Sequence, residues 1–130
     1  MDKGRIKFAE WQRYAEEDLE VAELVLHEKG PANQICFHTQ QAGEKYLKGF
    51  LVFCGEKFKK THQLRYLLEQ CNKIDASFAK LLEDVVCLTQ FYTETRYPGD
   101  MPEFSLKDAK EGLESALKIK QFVLKKVGLN

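Results

Sequence analysis

Ala32-Asn-Gln-Ile-Cys-Phe-His-Thr-Gln-Gln-Ala-Gly-Glu-Lys-Tyr-Leu-Lys-Gly-Phe-Leu-Val-Phe-Cys54 is the stretch on which the fold turns. It contains no proline. Its apolar positions (Ile35, Ala42, Tyr46, Gly49, Phe50 and Phe53, with Cys36, Leu47 and Leu51 beyond) wrap most of a helical circumference. A helix apolar on so many sides belongs in the middle of a bundle or at a subunit interface. One narrow polar column interrupts it: Gln34, His38, Gln41, Lys45 and Lys48, at helical steps and flanked by Gln40 and Glu44.

Upstream, Phe8, Trp11, Ala15, Leu19, Ala22 and Leu26 form one apolar stripe and predict a helix over about Phe8–Lys29. Gly30-Pro31 ends that helix and starts the next, so the two form an antiparallel hairpin. Downstream, Thr61 suits the N-cap of a short third helix carrying Leu64, Leu67 and Leu68. Asp75 suits the cap of a fourth, with Phe78, Leu81, Leu82, Val85, Val86 and Thr89 inward, running to about Thr95. Arg96-Tyr97-Pro98-Gly99 is a rigid exit and turn. Ser105-Leu-Lys-Asp108 has capping-box form and opens a fifth helix, whose inward face runs from Leu106 and Ala109 through Leu113, Ala116 or Leu117 and Val123 or Leu124 to Val127. No segment alternates with period two, so no sheet is expected. These readings predict an all-α, up-and-down bundle of about five helices.

With 130 residues the chain suits one domain spanning 1–130. Its twenty basic side chains balance twenty acidic ones, which excludes a global electrostatic grip on nucleic acid but leaves room for a local basic patch. Gly49–Gly55 is too short an apolar run to span a bilayer, and Met1–Lys7 leads into no apolar run of the secretory type. A cytoplasmic protein without membrane contact is expected. Cys36, Cys54, Cys71 and Cys87 form no C-x-x-C pair, so they read as small buried hydrophobes rather than metal ligands. No phosphate loop, H-E-x-x-H or G-x-S-x-G occurs, so no cofactor, metal or catalytic residue is expected.

The informative polar groups lie inside apolar sectors. Asp18 sits roughly 60° from the centre of the first helix's stripe, taking about 100° per residue. The hairpin brings it level with the column of helix two, so an Asp18–Lys45 or Asp18–His38 pairing is natural. Losing one partner of such a buried pair costs roughly 3–5 kcal/mol. Glu44 and Lys48 suit an i,i+4 surface pair. The column can also be read as a groove for a phosphate or a base. In that reading Lys45, Lys48 and Arg96 supply positive charge, Gln41 and Tyr97 are neighbouring contacts, and His62 is a capping residue or proton shuttle.

Trp11-x3-Ala15-x2-Asp18-Leu19-x2-Ala22, Cys36-Phe-His-x-Gln-Gln-Ala-x-Glu-Lys-Tyr-Leu-Lys48, Thr61-His62-x-Leu64-x2-Leu67-Leu68 and Arg96-Tyr97-Pro98 together resemble the HEPN domain family across essentially the whole chain. The resemblance implies a dimeric helical bundle associated with nucleotide or RNA. It also implies a minimal nucleotidyltransferase as partner, in some cases within a toxin–antitoxin pair. Gln41, Glu44, Lys45, Lys48, His62 and Arg96-Tyr97 match the family's polar motif positions. Ribonucleases of the family use an arginine and a following histidine separated by four to six residues. Here Met101, Pro102 and Glu103 stand after Arg96 at the corresponding positions. The reading is therefore a non-catalytic, nucleotide- or RNA-associated homodimer. The alternatives are a ribonuclease with a displaced Arg96/His62 site and a purely structural dimerisation module.

Overall fold

The computed structural model describes residues 2–93 and 96–129. Among these residues there are five α-helices: α1 (Lys3–His27), α2 (Ala32–Phe53), α3 (Leu64–Ile74), α4 (Leu82–Thr89) and α5 (Leu106–Lys126). Short 3-10 segments, Ala76–Leu81 and Pro98–Asp100, precede α4 and α5, and no strand occurs among the described residues. The fold is all-α, as the apolar periodicities require.

α2 lies at the centre and packs on α1, α3, α4 and α5. Ile35, Cys36, Ala42, Tyr46, Leu47, Phe50 and Leu51 are all buried within this one chain. The apolar circumference of α2 is thus satisfied by its own bundle, and it does not by itself demand a second copy. Tyr46 is fully enclosed, and its hydroxyl donates to Glu16 of α1. Lys120 of α5 meets the same carboxylate at 2.8 Å, which joins three helices at one polar point.

Local chemistry moves several boundaries. α1 begins at Lys3 rather than Phe8, because the Asp2 carboxylate caps the amides of Gly4 and Arg5. α1 ends in a Schellman turn, with Gly30 N–H donating to Val25 C=O at 2.8 Å and Lys29 N–H to Leu26 C=O at 3.2 Å. The left-handed residue there is Lys29 (φ 58°), not the glycine. Gly30 is needed for space, since a Cβ would lie 2.8 Å from the Val25 side chain. Thr61 does not cap α3: Gln63 is the N-cap, and the Thr61 hydroxyl accepts instead from the Gln63 amide. Asp75 caps the 3-10 segment, whose three-residue turn brings Phe78 and Leu81 together into the core. α4 follows and stops at Thr89; the further expectation of helix to Thr95 falls in part on residues 94 and 95, outside those described. Leu82, Val86 and Leu106, expected inward, are exposed. Ser105 and Asp108 form the capping box of α5 with reciprocal bonds of 3.0 and 2.9 Å. Among the cysteines, Cys36 and Cys71 are buried, Cys87 is intermediate and Cys54 is exposed, the last contrary to expectation because it lies in the C-terminal turn of α2. Burial pushes the Cys36 thiol up to about 12 and raises those of Cys71 and Cys54, so none is a ready thiolate.

Candidate functional site

The polar column of α2 divides between two ionic clusters. In the first, Asp18 of α1 is held by Lys45 and by His38, whose Nδ1 lies 2.8 Å from Oδ1. Both pairings open to Asp18 from sequence are made at once. In the second, Glu44 accepts from Lys48 Nζ at 3.0 Å and from His62 Nδ1 at 2.9 Å. The Glu44–Lys48 pair is not on the surface as expected, for the two side chains keep only 4% and 10% of their accessibility. Trp11 explains the lysine's burial: Nζ lies 5.9 Å from the indole centroid, where the ring face offers a weak second partner. His62 covers the carboxylate from the segment before α3.

His62 also opens onto a cleft of about 460 Å³. Gln40 of α2 lies deepest in it, Arg65 and Tyr66 come from α3, and Thr89 and Tyr92 come from the end of α4 and just beyond. Arg96 also lines it. The His62 and Tyr92 rings stack at 26° with centroids 5.9 Å apart. Arg65 and Arg96 are exposed, and neither guanidinium forms an ion pair among the described residues. Lys59 lies over the outer Tyr66 ring at 4.6 Å. Residues 57–68 hold four lysines and arginines and no acid, while 16–23 hold five acids and no base. Zero net charge thus conceals a local positive surplus at this end of the bundle.

Of the expected contact residues, His62 and Arg96 share the cleft, whereas Lys45 and Lys48 do not line it. Gln41 is half-buried behind it, its Nε2 donating to Gln40 Oε1 at 2.8 Å. Tyr97 is 78% exposed and stands outside the cleft. Gln40, Arg65 and Tyr66 are not among the site residues that the sequence suggests. Gln40 flanks the polar column, while nothing in the spacing of α3 sets Arg65 apart from any solvated arginine. Among the described residues no cluster of His, Cys, Asp and Glu could hold a metal ion, and no helix is long and apolar enough to cross a membrane.

A family model described as HEPN domain matches residues 8–127. Two solved structures resemble the chain over nearly its full length. One is ST0689, an archaeal HEPN homologue, 29% identical with a TM-score of 0.76, covering 93% of this chain and 98% of its own. The other is TT1696 from Thermus thermophilus, 30% identical with a TM-score of 0.78, covering 97% and 99%. No curated protein matches significantly. With its family-model match and its backbone in agreement, the chain belongs to the HEPN domain family.

Proposed function

We propose that this protein is a non-catalytic HEPN subunit of the cytoplasm that binds a nucleotide, free or within RNA, in the cleft between α2, α3 and α4. The observation that carries this reading is the convergence of Arg65 and Arg96 on the rim of one cleft walled by Tyr66, Tyr92 and His62. A guanidinium offers two parallel N–H groups to two phosphate oxygens. Tyrosine rings beside it can stack on a base, an interaction worth about 1–3 kcal/mol. Lys48 is already neutralised by buried Glu44, so in this reading Lys48, Lys45 and Gln41 support the site from behind and Tyr97 stays outside it. The chain then works as a homodimer beside a minimal nucleotidyltransferase, in a toxin–antitoxin-type pair, as family membership suggests. Tyr14, Val21 and Leu24, exposed along the outer side of α1, offer an apolar surface for a second copy.

Titration of ATP, GTP and a short single-stranded RNA against wild type, Arg65→Ala and Arg96→Ala tests the reading. Each arginine variant should lose about tenfold or more in affinity, the worth of a charge-assisted hydrogen bond. Equal or negligible binding by all three proteins would remove nucleotide binding and leave a dimerisation module.

The ribonuclease reading has one observation in its favour: His62, oriented by Glu44, shares the cleft with Arg96. Cleavage of RNA by general acid–base chemistry calls for a base at the 2′-hydroxyl and an acid at the leaving oxygen. Among the described residues the cleft is lined by a single imidazole and by no carboxylate. Purified protein should therefore leave a labelled RNA intact over hours; cleavage abolished by His62→Ala would promote the ribonuclease.

A further inference from the structure

We propose that the cleft holds one residue of a single-stranded nucleic acid, and that Lys59 binds the next phosphate of that strand just outside it. This rests on the nucleotide-binding reading and adds to it the class of ligand, a phosphodiester chain rather than a free nucleotide.

The stretch between α2 and α3 is where the two sides of this idea meet. Residues 56–63 lie outside any helix. Phe58 is half-buried against the core, and its neighbours Lys57 and Lys59 are exposed, as is Lys60. None of the three lysines forms an ion pair among the described residues. Lys59 is the one whose place beside the cleft is fixed. Its backbone N–H donates to the Tyr66 hydroxyl at 3.3 Å, and its ammonium lies 4.6 Å from the centroid of the same ring. Tyr66 lines the cleft, together with Arg65 and Arg96, while Lys59 does not. The lysine is thus a separate anion subsite next to a cleft wall. A cation–π contact at an exposed site is weak, so the ammonium stays available to a phosphate.

Proteins that bind single strands set aromatic platforms for the bases beside cations for the backbone. The same alternation occurs here: two arginines, the rings of Tyr66, Tyr92 and His62, and then Lys59 beyond the lining. A base stacked on a cleft wall leaves its own phosphate to the arginines and the adjoining phosphate to Lys59. A mononucleotide leaves Lys59 unused, and a duplex keeps its bases stacked and offers none to the cleft. Residues 57–68 carry no acid, so the local field favours a polyanion along this stretch although the chain's net charge is zero.

Titration of UMP, UTP, the dinucleotide pUpU, a uridine pentamer and its deoxyuridine counterpart tests this on wild type, Lys59→Ala and Lys59→Arg; one base throughout keeps stacking constant. Wild type should bind pUpU about fivefold to tenfold tighter than UMP, the worth of one charged contact. Lys59→Ala should abolish that gain, leave UMP within about twofold, and lower the slope of log affinity against log salt by about 0.7 for the pentamer. Lys59→Arg should restore the gain. A gain with length in RNA alone assigns RNA, and an equal gain in DNA assigns any single strand; either supports the subsite. UTP matching pUpU with the same loss in Lys59→Ala overturns the proposal in favour of a triphosphate. A glutamate peptide of equal charge that displaces the pentamer as well as pUpU does overturns it in favour of an acidic protein. UMP binding that depends on Arg65, with no gain in pUpU or the pentamer, sinks the second subsite alone. If no nucleotide or oligonucleotide binds, the underlying reading falls and takes this one with it.

Discussion

Two clusters of one carboxylate, one lysine and one histidine sit on different sides of α2, and they divide their exposure in opposite ways. Around Asp18 the lysine and histidine side chains keep similar shares of their accessibility, 24% and 23%. Around Glu44 the lysine keeps 10% while the histidine keeps 42%. The first cluster is a seam between two helices in which both the lysine and the histidine lie within reach of water. The second sinks its cation beneath Trp11 and turns its imidazole outward to the cleft. The same three groups therefore serve one hairpin as glue and the other side as a platform, because the segment before α3 brings His62 over Glu44 at the cleft, whereas His38 and Lys45 of α2 close over a buried Asp18.

Stability is where this contrast should show most. Glu44→Ala strands a buried ammonium and should cost about 3–5 kcal/mol, read from the midpoint of denaturant unfolding. Asp18→Ala should cost less, about 1–3 kcal/mol, since Lys45 and His38 can turn to solvent. An Asp18 variant as damaged as the Glu44 variant would erase the distinction. Binding offers a finer separation. His62→Ala should weaken nucleotide affinity about threefold to tenfold through the lost cleft wall, while His38→Ala should leave it within about twofold. Matching losses would mean that the clusters communicate and that the cleft is not the site.

Another carboxylate–lysine contact supplies the smallest effect. Lys126 at 2.8 Å and Ser77 hold the Asp75 carboxyl well below the usual carboxylate range. A folded-state value depressed in this way adds stability above the unfolded value of about 4, and the gain is lost as pH falls toward the folded value. Wild type should therefore lose melting temperature more steeply below about pH 4 than Asp75→Asn does. Parallel curves would show that this partly exposed pair contributes nothing measurable.

Much of the bundle is legible in the sequence because helical periodicity is local. The wrapped apolar pattern of α2, the Gly30-Pro31 link and the Ser105 capping box each rest on a few adjacent residues, and each appears in the fold. The Asp18 cluster is legible for a related reason: a short hairpin fixes the register of two neighbours. The cleft is not. It needs Arg65, Arg96 and Gln40 brought to one cleft, separations that only tertiary packing closes. Lys48 reads as a ligand contact from sequence because a column on a helical wheel shows direction without showing what covers it. Leu82, Val86 and Leu106 read as inward because an apolar stripe marks a face even where no neighbour arrives.

Asn33, in the first turn of α2, donates through Nδ2 to Pro102 C=O at 3.0 Å and accepts at Oδ1 from Phe104 N–H at 2.9 Å. The Phe104 ring meets that of Phe91 edge-on at 4.9 Å. Pro102 and Phe104, on the C-terminal side of Arg96, are thereby fastened to Phe91 and to the helix that carries Gln40 and Glu44. Backbone bonded in this way has surrendered its configurational freedom during folding. In the proposed reading, a ligand contacting Arg96 then meets neighbouring backbone already ordered at Pro102 and Phe104, so less of its contact energy goes into ordering that backbone.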